Sequence, residues 1–124
     1  MEWNFDQSRP IYQQIIAEVK KAVSRGELKP GDRILSQREL AQLAQVNPNT
    51  VQRAYREMEQ MGLVSTQRGQ GTFISATTEM IASLRAEMAA EALQSFIAEM
   101  KGLGISQTQT LQLITAHWSE EKGR

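Results

Sequence analysis

Amide, hydroxyl and guanidinium side chains crowd one short stretch of the chain: Asn47, Asn49, Thr50, Gln52 and Arg53, with Arg56 just beyond. These side-chain types are the ones that meet base edges in a DNA groove. Arginine gives paired hydrogen bonds to guanine, asparagine and glutamine pair with adenine, and threonine can touch the thymine methyl. A solvated helix face has the same composition, so the stretch alone leaves both readings open. Two more cations could join it. Arg38 opens an earlier segment, and Arg68 lies in Arg68-Gly69-Gln70-Gly71, a glycine-bearing turn. Such a turn can rest on phosphates or enter a narrow minor groove, which attracts arginine.

The surrounding pattern positions these residues. Ile11, Ile15, Ile16, Val19 and Val23 recur at helical spacing, so a first helix is expected from Pro10 to Arg25, stopped by Gly26. Leu28-Lys29-Pro30-Gly31-Asp32 reads as a loop. Ser36-Gln37-Arg38-Glu39 is a capping box opening a short second helix, with Leu35 and Leu40 as its hydrophobic staple and Leu43 and Ala44 in its apolar set. That helix ends near Gln45. Asn47-Pro48 then caps a third helix, whose stripe is Val51, Ala54, Tyr55, Met58 and Met61 and whose stop is Gly62. Two helices joined by so short a turn predict a helix-turn-helix. Residues 63–67 and 72–75 read as strands around the Arg68-Gly69-Gln70 tip, a hairpin in the place of a wing.

The C-terminal part, 76–124, carries a long helix signal from Thr77 to Lys101. Ile81, Leu84, Met88, Ala92, Phe96 and Met100 form its stripe, which Leu93 and Ile97 widen. Gly102-Leu103-Gly104 breaks it, and Ser106 can cap a last helix with Leu111, Ile114 and Trp118. Two such helices cannot bury both stripes alone. A second copy would cover them, giving a two-fold homodimer through Ile81, Leu84, Met88, Phe96, Met100, Leu111, Ile114 and Trp118. A partner- or ligand-binding groove is the alternative. The tail, 119–124, is expected to fray.

Composition narrows the function classes. The chain has 124 residues, 14 Lys/Arg, 14 Asp/Glu, no cysteine and one histidine. The charge is uneven: residues 1–75 carry ten cations against eight anions, and 76–124 carry four against six. The basic half is the half with the helix-turn-helix. Without cysteine there is no thiol nucleophile, disulfide or thiolate metal site. His117, the single histidine, next to Trp118 on a terminal helix, reads as packed or exposed rather than catalytic, and the Arg68–Gly71 glycines do not lead from a strand into a helix as a phosphate loop does. No enzyme, cofactor or metal is expected. The start, Met1-Glu2-Trp3-Asn4-Phe5-Asp6, lacks the marks of a signal peptide, and no apolar run suffices for a membrane span. A cytoplasmic location is expected.

Residues 10–75 resemble the DNA-binding domain of the GntR family of bacterial regulators. The resemblance rests on Pro10-Ile11-Tyr12-Gln13-Gln14-Ile15, Gly26-Glu27-Leu28-Lys29-Pro30-Gly31-Asp32 and Ser36-Gln37-Arg38-Glu39-Leu40-Ala41. It continues through Val46-Asn47-Pro48-Asn49-Thr50-Val51, Arg53-Ala54-Tyr55, Gly62-Leu63-Val64 and Arg68-Gly69-Gln70-Gly71-Thr72-Phe73. The short C-terminal segment is similar to the YtrA-like branch, where it chiefly dimerises. The resemblance implies DNA contact from Arg38, from Asn47, Asn49, Thr50, Gln52 and Arg53, and from Arg68 and Gly69 with Gln70 adjacent. Two residues depart from the family pattern: Leu35 replaces a usual proline, and Gln45 replaces a common glycine. If Gln45 adopts a positive φ, it bears a steric cost that glycine avoids.

The expected fold class is mainly α, an α+β winged helix at 1–75 followed by a two-helix dimerisation region at 76–124. The expected function is sequence-specific binding to a double-stranded DNA operator with an inverted repeat. Promoter occlusion makes repression the default outcome, and transporter genes are the target that the YtrA-like branch suggests. No small-molecule effector is identifiable. A protein-interaction adaptor, docking through the Met-rich stripe, is the competing class.

Overall fold

The computed structural model describes residue 1 and residues 3–119. Residues 120–124, most of the tail expected to fray, lie outside the described residues. Five helices and three short strands follow one another as α1 (Ile11–Ser24), β1 (Arg33–Ile34), α2 (Gln37–Ala44), α3 (Pro48–Gln60), β2 (Val64–Gln67), β3 (Gly71–Ile74), α4 (Thr78–Gly102) and α5 (Gln107–Trp118). The fold is mainly α with a small antiparallel sheet, as the sequence predicts. The chain divides into two compact units, residues 1–86 and 87–124.

The first unit has a closed core. Ile15, Ile16, Val19 and Val23 of α1 meet Leu40 of α2 and Val51, Ala54, Tyr55 and Met58 of α3. Leu63, Val64 and Ile74 close the core from the hairpin. Both helix-turn-helix ends are locally determined. The Ser36 hydroxyl accepts from the Glu39 N–H while the Glu39 carboxylate accepts from the Ser36 N–H, completing the capping box. Backbone donation from Ser36 holds the Glu39 carboxyl below its ordinary value. Gln45 takes φ 54° and ψ 50°, and its N–H and that of Val46 both return to the Ala41 carbonyl. The left-handed turn that the sequence made conditional is therefore present, on a residue with a Cβ.

Three local expectations differ from the structure. Pro10 is the cap of α1 rather than its first residue. Leu43, expected in the apolar set of α2, is 65% exposed. Helical rotation explains this: Leu40, Ala41 and Ala44 define the inward face, and Leu43 lies roughly 100° from its centre. The two-residue strand β1 was not expected at all. It pairs with β3, Arg33 opposite Phe73 and Ile34 opposite Thr72, giving the sheet order β1-β3-β2. Two residues are too few to display an alternating pattern.

In the second unit, α4 continues to Gly102, Gly104 turns the chain at φ +76°, and α5 starts from a capping box of Ser106 and Gln109. Neither α4 nor α5 contains a fully buried residue. Leu93, Phe96, Met100, Leu113, Ile114 and Trp118 line an open apolar groove within this unit. No helix among the described residues is long and apolar enough to cross a membrane.

Candidate nucleic-acid interface

The polar residues singled out in the sequence all lie in the first unit. Asn47 caps α3 and Pro48 occupies its first turn. The Asn47 Oδ1 accepts from the Asn49 N–H at 2.8 Å, so the carbonyl end of its side chain is committed to the cap. Val51, Ala54, Tyr55 and Met58 point into the core. With that stripe inward, Asn49, Gln52, Arg53 and Arg56 are exposed and Thr50 is half-buried. A helix so divided presents a continuous polar side, the surface a major groove accepts.

The neighbouring parts are fixed to this helix by named contacts. Arg38, exposed in the first turn of α2, lines the same surface depression as Pro48 at the start of α3. The buried Tyr55 hydroxyl donates to the Leu35 carbonyl, which anchors the approach to α2 where the family usually has proline. Burial raises the Tyr55 phenol well above its ordinary range, so it remains a donor. The wing tip is a tight turn: the Gln70 N–H donates to the Gln67 carbonyl at 2.9 Å, and Gly69 takes φ +78°. Arg68, Gly69 and Gln70 are all exposed there.

Two residues in contact with this surface were not picked out as site residues in the sequence. Arg33 lies across the base of the wing, where a Cβ at Gly71 would approach its Nε to 2.7 Å. Its Nη2 is 3.7 Å from the Glu39 carboxylate in the first turn of α2, so it ties wing to helix. Its only sequence signal is a cation just after the Pro30-Gly31-Asp32 turn. Tyr12, noticed only within the resemblance, meets Arg53. The Arg53 guanidinium lies 3.7 Å from the Tyr12 ring centroid, and its Nη2 donates to the Tyr12 hydroxyl at 3.0 Å. The Arg53 Nε donates to Glu57 at 3.1 Å. By contrast, Arg38, Arg56 and Arg68 have no carboxylate within 4.0 Å among the described residues.

The geometry is that of a helix-turn-helix followed by a wing, and sequence comparison agrees. The profile of bacterial regulatory proteins of the gntR family matches residues 11–74. The chain belongs to the GntR family. It is 44% identical to the HTH-type transcriptional regulator YhcF of Bacillus subtilis, over 90% of this chain and 93% of that protein. It is 38% identical to the HTH-type transcriptional repressor YtrA of the same organism, over 94% of this chain and 90% of that one. A GntR family transcriptional regulator from Listeria monocytogenes has a similar structure. The TM-score is 0.84 at 37% identity, covering 90% of this chain and 98% of the other. These matches extend through the C-terminal helices, which agrees with the YtrA-like branch. The chain is thus a GntR-family transcriptional regulator with a DNA-binding winged helix-turn-helix, and its relatives are regulators rather than enzymes.

Proposed function

We propose that this GntR regulator is a cytoplasmic homodimeric repressor that reads an inverted-repeat operator, and that transporter genes are among its targets. The observation carrying this reading is the division of α3 into a core-facing stripe and an outward side bearing Asn49, Gln52 and Arg53. In this reading Asn49 and Gln52 meet base edges, with Thr50 and the Asn47 amide nitrogen beside them. Arg38 joins them from α2, and Arg68, Gly69 and Gln70 lie along the backbone or minor groove. The first N–H groups of α3 are taken by Asn47, whose side chain accepts from Asn49 and whose carbonyl accepts from Thr50 and Val51, so the helix end favours phosphate through its dipole rather than through free N–H donors.

The winged-helix domain is assigned to 1–75 and dimerisation to 76–124. Met88, Phe96, Met100, Leu111, Ile114 and Trp118 supply apolar surface that two copies would cover. Ile81 and Leu84 belong to the expected dimer set, but they are half-buried against the first unit's core. Their contribution to a dimer is therefore the smallest of the set. Support for repression comes from the Bacillus subtilis relative YtrA, which is named a repressor. In this mechanism the bound dimer excludes the transcription machinery sterically.

Footprinting on the region upstream of the protein's own gene tests the proposal, with sedimentation of the complex. The expected result is protection of two symmetric half-sites about one or more helical turns apart by two chains. Protection of one asymmetric site by a single chain would refute the dimeric reading.

A further inference from the structure

We propose that Tyr12 is a positioning residue for DNA recognition, holding Arg53 so that its guanidinium meets the duplex in one orientation with the N–H groups that Tyr12 and Glu57 leave free. The inference rests on the reading above, in which the outward side of α3 meets DNA. Arg53 is restrained in three ways. Its guanidinium carbon lies over the Tyr12 ring, its Nη2 donates to the Tyr12 hydroxyl, and its Nε donates to Glu57 one turn further along α3. The hydroxyl also accepts from the Gln13 side chain at 3.1 Å, which restrains the tyrosine itself. Ring and carboxylate come from different helices, Tyr12 from the first turn of α1 and Glu57 from α3.

This arrangement decides which edge of the guanidinium can be used. A bidentate contact can be made along the Nε side or across the terminal nitrogens. Glu57 takes the Nε–H and the Tyr12 hydroxyl takes one N–H of Nη2, so Nη1 and the second N–H of Nη2 are the donors left. Stacking on an aromatic face suits the flat, weakly hydrated guanidinium and would not suit lysine in the same way. An arginine already immobilised also loses less side-chain freedom on meeting its target. Arg53 in turn neutralises Glu57, a carboxylate that would otherwise repel phosphates. Arg38 and Arg68 have no such cradle, so the device is specific to Arg53.

A double-mutant cycle in the full-length protein tests this. The probes are the footprinted upstream duplex and a shuffled duplex of the same length, with affinity measured by anisotropy at several salt concentrations. Arg53→Ala is expected to weaken specific binding roughly tenfold, the scale of one lost contact. Tyr12→Leu, which removes both ring and hydroxyl, should approach that loss. Tyr12→Phe, which keeps the stacking and spares the fold, should lose less. In the Arg53→Ala background both Tyr12 variants should be silent. A purely structural tyrosine would weaken binding equally in both backgrounds, and that additivity would overturn the inference while leaving DNA contact by Arg53 intact. Wild-type affinity in Arg53→Ala would overturn the DNA role of Arg53 and the inference with it.

Discussion

The two units of this chain treat their apolar residues in opposite ways. In residues 1–86 the helices and hairpin share one core, where Leu40, Val51, Ala54, Met58 and Leu63 have no exposed surface at all. In residues 87–124 the apolar side chains line an open groove, and Trp118 is 76% exposed. Capping does not separate them, since α2 and α5 both start from capping boxes. The difference is layer number: three helices and a sheet can enclose a core, whereas two helices leave one face without a cover. A domain that must present a rigid polar face to DNA benefits from the first solution. The second suits a surface completed by another molecule.

The largest effects should sharpen that contrast. Leu40→Ala removes a fully enclosed side chain and is expected to cost about 2–5 kcal/mol in urea unfolding. Trp118→Ala, at protein concentrations where the chain is monomeric, should change stability by less than about 0.5 kcal/mol. Equal losses would erase the distinction between the units. Next, Phe96→Glu places a charge in the groove and should raise the dimer dissociation constant roughly a hundredfold by sedimentation. Melting of the winged helix should be unaffected. A dimer as tight as wild type would remove the groove from the interface.

Smaller effects probe the local geometry of the first unit. Ser36→Ala breaks the capping box and should cost about 1 kcal/mol. Gln45→Gly relieves a left-handed residue and should stabilise by up to about 1 kcal/mol, whereas Gln45→Val should destabilise. Thermal melts of these variants would show the opposite signs directly. Acid should act more weakly. Asp6, held down by hydrogen bonds from Ser8, and Glu39, held down by Ser36, both have lowered carboxyl pKa values. A lowered folded pKa contributes stability above the ordinary value and loses it as the pH falls through the folded one. Stability should therefore be flat near neutrality and decline only below the ordinary carboxylate range. In Glu39→Gln that decline should shrink.

Much of this was readable from residue pattern because the signals are local. Ser36 to Glu39, Asn47-Pro48 and Gly62 mark helix ends by chemistry confined to one turn, and the α3 stripe follows from helical period. The readings that went astray depend on distant partners. Arg33–Ile34 becomes a strand only because Thr72 and Phe73 lie beside it. Leu43 is exposed because the core meets the face of α2 that carries Leu40, Ala41 and Ala44, from which Leu43 is rotated away. The compact first unit takes in the start of α4 as far as Ala86, where Ile81 and Leu84 pack on its core. Arg53 was readable as a base-reading type, but its stacking on Tyr12 joins residues 41 positions apart, a separation no local pattern encodes.

The central claim is that the outward side of α3 discriminates between bases. It is tested most directly by measuring affinity for the footprinted site and for every single-base-pair variant of it, with wild type and Gln52→Ala. The account predicts sharp discrimination by wild type at a few positions in each half-site. Gln52→Ala should lose it at one of them, with a cost of about 1–3 kcal/mol and an unchanged salt slope. A uniform loss across all sequences, or no discrimination by wild type, would contradict it.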